Sequence, residues 1–239
     1  MKKEFAENPI KSRQDNHTTF LFSNIMKKLF FAFMAMFFAV GMYAQDAYYC
    51  LRQGAELVYR STDAKGRETG TTTVVIKAVT GSDGNYELVQ TNEVSLSKLD
   101  VGKPVAVSAS IKDNNIPVAI LNGLAYEFTE IGPSIPSTLS VGQELECGSI
   151  KWEVMGIKSS HNITSHKVIA QEEITTPAGT YDCFVVEQKY NMKAGFSKSE
   201  GVNKTWYAKG IGAVKSENYD KKGKKTYCFS AVGNRKIVI

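Results

Sequence analysis

Histidine is nearly absent from this chain of 239 residues: there are three, and only His161 and His166 lie beyond residue 44. Serine nucleophiles lack their usual settings too. No Gly-x-Ser-x-Gly elbow occurs, no Cys stands beside a His, and Ser95-Leu-Ser-Lys98 has no accompanying Lys-Thr-Gly. No Gly-rich loop leads from a strand into a helix, which removes phosphate and dinucleotide cradling. His161 and His166 are five apart, an odd offset that in a regular strand puts them on opposite faces. They do not pre-form a metal pair there, and only a loop between them would gather them with Glu172 or Glu173. These absences predict a protein that is not an enzyme and that has no catalytic residues, metal or cofactor. A hydrolase with an unrecognised site is the third-ranked alternative.

A strong charge imbalance is missing as well. Six of the 29 basic and three of the 24 acidic residues precede Gln45, so the remainder carries a formal net charge of only +2. Such a balance offers no footprint for nucleic acid or an anionic membrane. Nor is there an apolar run of the roughly 20 residues that a membrane helix needs. The longest, Leu29 to Val40, has 12.

That run sits between Met26-Lys27-Lys28 and Gly41-Met42-Tyr43-Ala44, the layout of a secretory signal peptide with cleavage expected after Ala44. The expected organisation is a mis-annotated or disordered extension over residues 1–25, a signal peptide over 26–44, and one domain over 45–239. Translation starting at Met26 is the simplest account of the first segment. The product is expected in the periplasm or outside the cell.

From Gln45 onward the text is that of strands and turns. Glu56 to Ser61, Thr71 to Thr80 and Tyr86 to Ser95 are rich in Val, Thr and Tyr and are separated by Asp63-Ala-Lys-Gly66 and Gly81-Ser-Asp-Gly-Asn85, which predicts an antiparallel meander. Pro104 to Lys112 alternates, with Val105, Val107, Ala109 and Ile111 on one face. Ile116 to Gly142, interrupted by Pro117, Pro133 and Pro136, reads as a long cover over the sheet or its mouth, with room for a helical turn in Leu121 to Phe128. Beyond it, strands are expected around Trp152, over Ile163 to Ile174 after a break at Ser159 to Asn162, and over Thr180 to Tyr190 following the Pro177-Ala-Gly179 turn. Asn191 to Asn203 reads as a polar loop or wide hairpin. Asp220-Lys-Lys-Gly-Lys-Lys225 is the clearest hairpin tip, and its lysines read first as a solvated tip that discourages edge pairing and second as a patch for lipid headgroups or polyanions. The predicted fold is all-β: a curved antiparallel sheet of about ten strands with little helix, curled into an open barrel or a sandwich.

Aromatic residues concentrate in the second half. If some line the concave face of such a sheet, Trp152, Phe184, Trp206 and Phe229 are the residues expected to form an apolar pocket, with core packing as the simpler role. Cys50, Cys147, Cys183 and Cys228 are an even number in an exported chain. They are compatible with two disulfides or with buried free thiols.

Five stretches together resemble the TapB-like exported proteins of Bacteroidetes, a domain of unknown function. They are the signal ending at Ala44-Gln45, Cys50 with Gln53-Gly-Ala-Glu-Leu-Val-Tyr59, the Asp63-Ala-Lys-Gly66 turn, Thr175-Thr-Pro-Ala-Gly-Thr-Tyr-Asp-Cys183, and Trp206-Tyr-Ala-Lys-Gly-Ile-Gly-Ala-Val-Lys-Ser-Glu217. The resemblance implies a curved antiparallel sheet partly enclosing an apolar space, similar in outline to periplasmic lipoprotein carriers, and it brings no catalytic residues. The leading expectation is thus an envelope protein that binds an apolar or lipid-like molecule or a partner protein. The alternative is a structural or assembly module with a filled core and no ligand.

Overall fold

A computed structural model of the chain describes residues 47–96, 99–100, 104–121, 128–130, 132–154 and 156–234. The expected extension and signal peptide fall outside these residues. Among the described residues fourteen strands run in chain order: β1 Glu56–Asp63, β2 Glu68–Ser82, β3 Asn85–Leu96, β4 Leu99–Asp100, β5 Val105–Ile111, β6 Ile116–Pro117, β7 Phe128–Glu130, β8 Ser134–Ile135, β9 Gly148–Val154, β10 Ile157–Thr176, β11 Gly179–Ala194, β12 Ser197–Ala208, β13 Gly212–Asp220 and β14 Lys225–Asn234. The described helix is one turn, Val118–Leu121; the helical turn expected between Leu121 and Phe128 falls on residues 122–127, outside those described. No described helix is long and apolar enough to cross a membrane.

Twelve strands form one antiparallel sheet in the order β4-β3-β2-β1-β14-β13-β12-β11-β10-β9-β7, with β5 also paired to β3; β6 and β8 form a separate pair. The two ends of the large sheet do not pair with each other, so it is curved and open. Its curl has a local cause. Bulges interrupt the register at Val58/Tyr59, Ile76/Ala78, Ile163/Ser165, Val168/Ala170, Trp206/Tyr207 and Asn218/Tyr219, and each extra residue bends its strand and increases the twist.

The tight turns follow their residues. Asp63 and Asp220 each close a loop with the same bonds: Asp63 Oδ1 accepts the amides of Lys65 and Arg67, and Asp220 Oδ1 those of Lys222 and Lys224. Gly66 and Gly223 supply the positive φ (77° at both) that each turn needs. The stretch 191–203 is not a loop. Strands β11 and β12 continue through it and are joined by only Gly195 and Phe196. The expected break at Ser159 to Asn162 is likewise absent, because those residues pair on both sides, with β9 and with β11.

One face of the sheet carries the main core. The segment Ala47 to Leu51 packs into it, as do the buried Ile116, Val118, Ala119, Ile120, Ile135 and Leu139 of the cover region. Tyr49 donates its hydroxyl to Gln90, and its ring lies where a methyl group on Gly212 would be, at 3.1 Å. Gly210 donates its amide to Ala47 O at 2.8 Å. The glycines between Trp206 and Glu217 thus let Ala47 to Leu51 approach the sheet closely. The opposite, outer face carries a small cluster of Cys183, Val185, Trp206, Ala208 and Val214.

Candidate functional site

Register sets the inner face. His166 stands opposite Gln188, Gln188 opposite Asn203, Asn203 opposite Asn218, and Asn218 opposite Tyr227. Five strands, β10 to β14, thereby place a transverse polar row on the face where apolar residues would be expected. The next row holds Val168, Val186, Thr205, Ser216 and Phe229. Most of these groups are hydrogen-bonded to one another. The Asn203 amide donates to Ser216 Oγ at 2.7 Å and to Asn218 Oδ1 at 3.1 Å. Thr205 Oγ1 donates to Asn203 Oδ1 at 2.7 Å and lies in hydrogen-bond contact with Ser216 Oγ at 3.1 Å. Buried amides persist only when satisfied in this way.

Above this row is a cavity of about 240 Å³, lined on its apolar side by Val118, Ile150, Trp152, Met192, Tyr227 and Phe229 and on its polar side by His161, Gln188, Asn203, Ser216 and Asn218. No carboxylate, lysine, arginine or thiol is in the described lining. The cover region contributes Val118, and Tyr227 is fixed by a 2.5 Å hydrogen bond with Ser61 Oγ.

The two histidines are not where strand alternation puts them. The bulge between Ile163 and Ser165 inserts one residue, so that His161 and His166 both face inward rather than on opposite faces, and neither is an exposed turn residue. His166 is fully buried (0 % exposed), its Nδ1 2.7 Å from Glu146 O and its Nε2 3.1 Å from the Gln188 amide. His161 stacks on Tyr190 with centroids 4.5 Å apart. Burial pulls its pKa down to about 4, so the ring that faces the cavity is neutral at ordinary pH. Among the described residues no group of three potential ligands is gathered for a metal. Glu172 is on the outer face, where Oε1 accepts the Trp206 indole N–H at 2.5 Å.

Of the four aromatics expected to form a pocket, Trp152 (7 % exposed) and Phe229 (8 %) meet at this cavity. Phe184 does not line it; it packs edge-on against Tyr48, centroids 6.2 Å apart. Trp206 points to the outer face, sandwiched between the Glu172 hydrogen bond and the Lys215 ammonium 4.3 Å from its ring centroid. The parity of β12 explains the split: Asn203, Thr205 and Tyr207 point inward, hence Trp206 outward. The amide row is not among the residues expected from sequence, and its signal there is that Gln188, Asn203, Ser216 and Asn218 occupy inward positions of strands that otherwise alternate. The four cysteines are free thiols, Cys50 and Cys183 buried, Cys228 half-buried and Cys147 exposed.

Residues 52–228 match the DUF3108-like family. Among solved structures, a Bacteroides fragilis protein described as exported and as having a YmcC-like fold superposes with a TM-score of 0.68 at 16% identity, covering 79% of this chain and 98% of its own. A Parabacteroides distasonis protein described as a lipoprotein gives 0.65 at 19% identity, with the same 79% and 98% coverage. Both likenesses concern the fold. No curated protein matches the sequence.

Proposed function

The chain belongs to the DUF3108-like family, and on that premise we propose that it is an exported, non-catalytic binding protein whose inner cavity holds a small neutral molecule with one apolar and one hydrogen-bonding end. The observation that carries this reading is the two-sided lining: Trp152, Ile150 and Phe229 against Gln188, Asn203 and Asn218, with no formal charge in the described lining. An apolar wall with a few converging polar groups is the usual make-up of a ligand site. A neutral His161 and the lack of an acid–base pair in the lining favour binding over turnover.

The volume narrows the lipid-like ligand expected from sequence. At about 240 Å³ the cavity is below the roughly 300–1,000 Å³ of ordinary small-molecule pockets. It suits a small molecule, or the end of a larger one, and not a whole two-chain lipid. Export is supported by the signal-like pattern of residues 26–44 and by the description of the two fold neighbours as exported and as a lipoprotein.

Organic extraction and mass spectrometry of the protein purified natively from its host test the reading. A neutral small molecule in one-to-one ratio supports it. A clean extract supports the second reading, a structural module, for which the mutual hydrogen bonding of Asn203, Thr205, Ser216 and Asn218 already speaks.

A further inference from the structure

The hairpin joining β11 to β12 ends in an aromatic side chain that touches no protein surface. Gly195, with φ of 58°, takes the first central position of a two-residue turn, and Phe196, the second, is 107 % exposed. Next to it Ile157, at the start of β10, is 54 % exposed. The two tips are tied: the Gly195 amide donates to Lys158 O at 3.3 Å, and a methyl group on Gly195 would lie 3.4 Å from Ile157 Cγ2. Two apolar side chains therefore share one projecting end of the sheet.

Positive charge surrounds them. Lys158, Lys193 and Lys198 are exposed on the same two hairpins, and Lys193 and Lys198 stand directly opposite each other in the register. Like charges so placed repel. On the neighbouring hairpin Lys221 and Lys222 join Lys193 and Lys198 along an open groove of about 690 Å³, together with Glu200 and Asp220. The two carboxylates are already engaged: Glu200 pairs with Lys221 at 3.3 Å, and Asp220 accepts the turn amides of Lys222 and Lys224. Lys158 stands opposite the exposed Glu153 in the β9–β10 register, yet among the described residues Lys158, Lys193, Lys198 and Lys222 belong to none of the ion pairs.

Lysines alone are what an edge needs to stay soluble, and they give no reason for a bare phenylalanine at the outermost position. An apolar tip within a collar rich in lysines that form no ion pair is complementary to one kind of surface. We propose that this end of the sheet docks on an anionic lipid bilayer, with Phe196 and Ile157 entering the headgroup–acyl boundary and Lys158, Lys193 and Lys198 meeting lipid phosphates. The docking is independent of what the inner cavity holds.

Co-sedimentation of the purified protein with vesicles of equal parts phosphatidylglycerol and phosphatidylcholine, against phosphatidylcholine alone, tests this. Binding is expected to the anionic vesicles and to weaken as salt is raised. Phe196→Ser should weaken it roughly tenfold, and Lys193→Gln and Lys198→Gln about fivefold each. All three variants share the wild-type N-terminus, so a loss reports on the tip. Their thermal midpoints should stay at the wild-type value because the side chains are exposed. Equal binding to both vesicle types, wild-type binding by all three variants, or capture of soluble polyphosphate through these lysines without vesicle binding would overturn the proposal.

Discussion

Asn203 donates its side-chain amide to the Ser216 hydroxyl at 2.7 Å across β12 and β13, and both residues line the polar wall of the inner cavity. Asn203→Ala would leave the buried oxygens of Thr205 and Ser216 and the half-buried one of Asn218 short of a partner, each unmet buried group costing about 1–3 kcal/mol. Denaturant unfolding should show a loss of that order. The double variant with Ser216→Ala should lose less than the sum of the two singles, since both belong to one network.

Trp152 and Trp206 separate site from scaffold. Trp206→Phe removes the hydrogen bond to Glu172 on the outer face and should lower stability by about 1.5–3 kcal/mol, the worth of a bond to a charged group, while leaving any cavity ligand in place. Trp152→Ala opens the cavity wall and should release the ligand and destabilise by about 3–5 kcal/mol. Comparing the ligand content of the two purified variants checks the assignment.

These two tryptophans also show what the sequence could and could not tell. The meander, the Asp-initiated turns and the position of the cover were legible because each rests on local chemistry, such as Val and Thr in β2 or Asp63 with Gly66. Which face a residue takes was legible only where the strand has no bulge. Counting by twos separates His161 from His166, but one inserted residue between Ile163 and Ser165 reunites them. A bulge is a property of the paired strand as much as of its own residues. The aromatic cluster misled for a related reason: Trp206 and Tyr207 are neighbours in sequence and therefore on opposite faces. The amide row exists only through the register of separate strands, and no single stretch of sequence contains it.

Acid should destabilise the fold in two separable windows. Burial lowers the His161 pKa to about 4 from a reference near 6.5. Between those values the unfolded chain binds the extra proton, so stability falls as pH drops from 6.5 toward 4. His161→Phe should remove its share of that loss and leave the share of His166, whose pKa burial also lowers. Glu217 responds lower down. Burial opposes its ionisation, but hydrogen bonds from Lys225, Tyr219 and Lys215 hold it at about 2, against a reference of 4.5, so its contribution is present above pH 4.5 and lost toward pH 2. Glu217→Gln should remove the second loss and leave the first. Unfolding midpoints from pH 7 to pH 2 measure both.

Gly201 lies where β12 meets β13 with no room for a side chain: a Cβ would come within 2.4 Å of Tyr219 O and 2.9 Å of the Tyr190 hydroxyl. Gly201→Ala should therefore cost about 1–3 kcal/mol through overpacking. It should also disturb the ring of Tyr190 on which His161 stacks, visible as a shift in the His161 imidazole resonances.

Thiol accessibility should order the cysteines. Native protein should react with a thiol reagent at Cys147 first, since it is exposed. Cys183 should be the slowest, being buried, with its pKa raised to about 12 by desolvation and by the charges of Asp182 and Glu172. Four thiols should be counted on unfolding without reductant.

The most direct test of a ligand-holding cavity is the native mass of the protein purified from its host, compared with its mass after denaturation and with the variant Val118→Phe, which fills the cavity from the cover side. A mass excess in the wild type that disappears on denaturation and is missing from Val118→Phe is the result expected of a binding protein. Identical native and denatured masses for the wild type would contradict it and leave the inner face as packing.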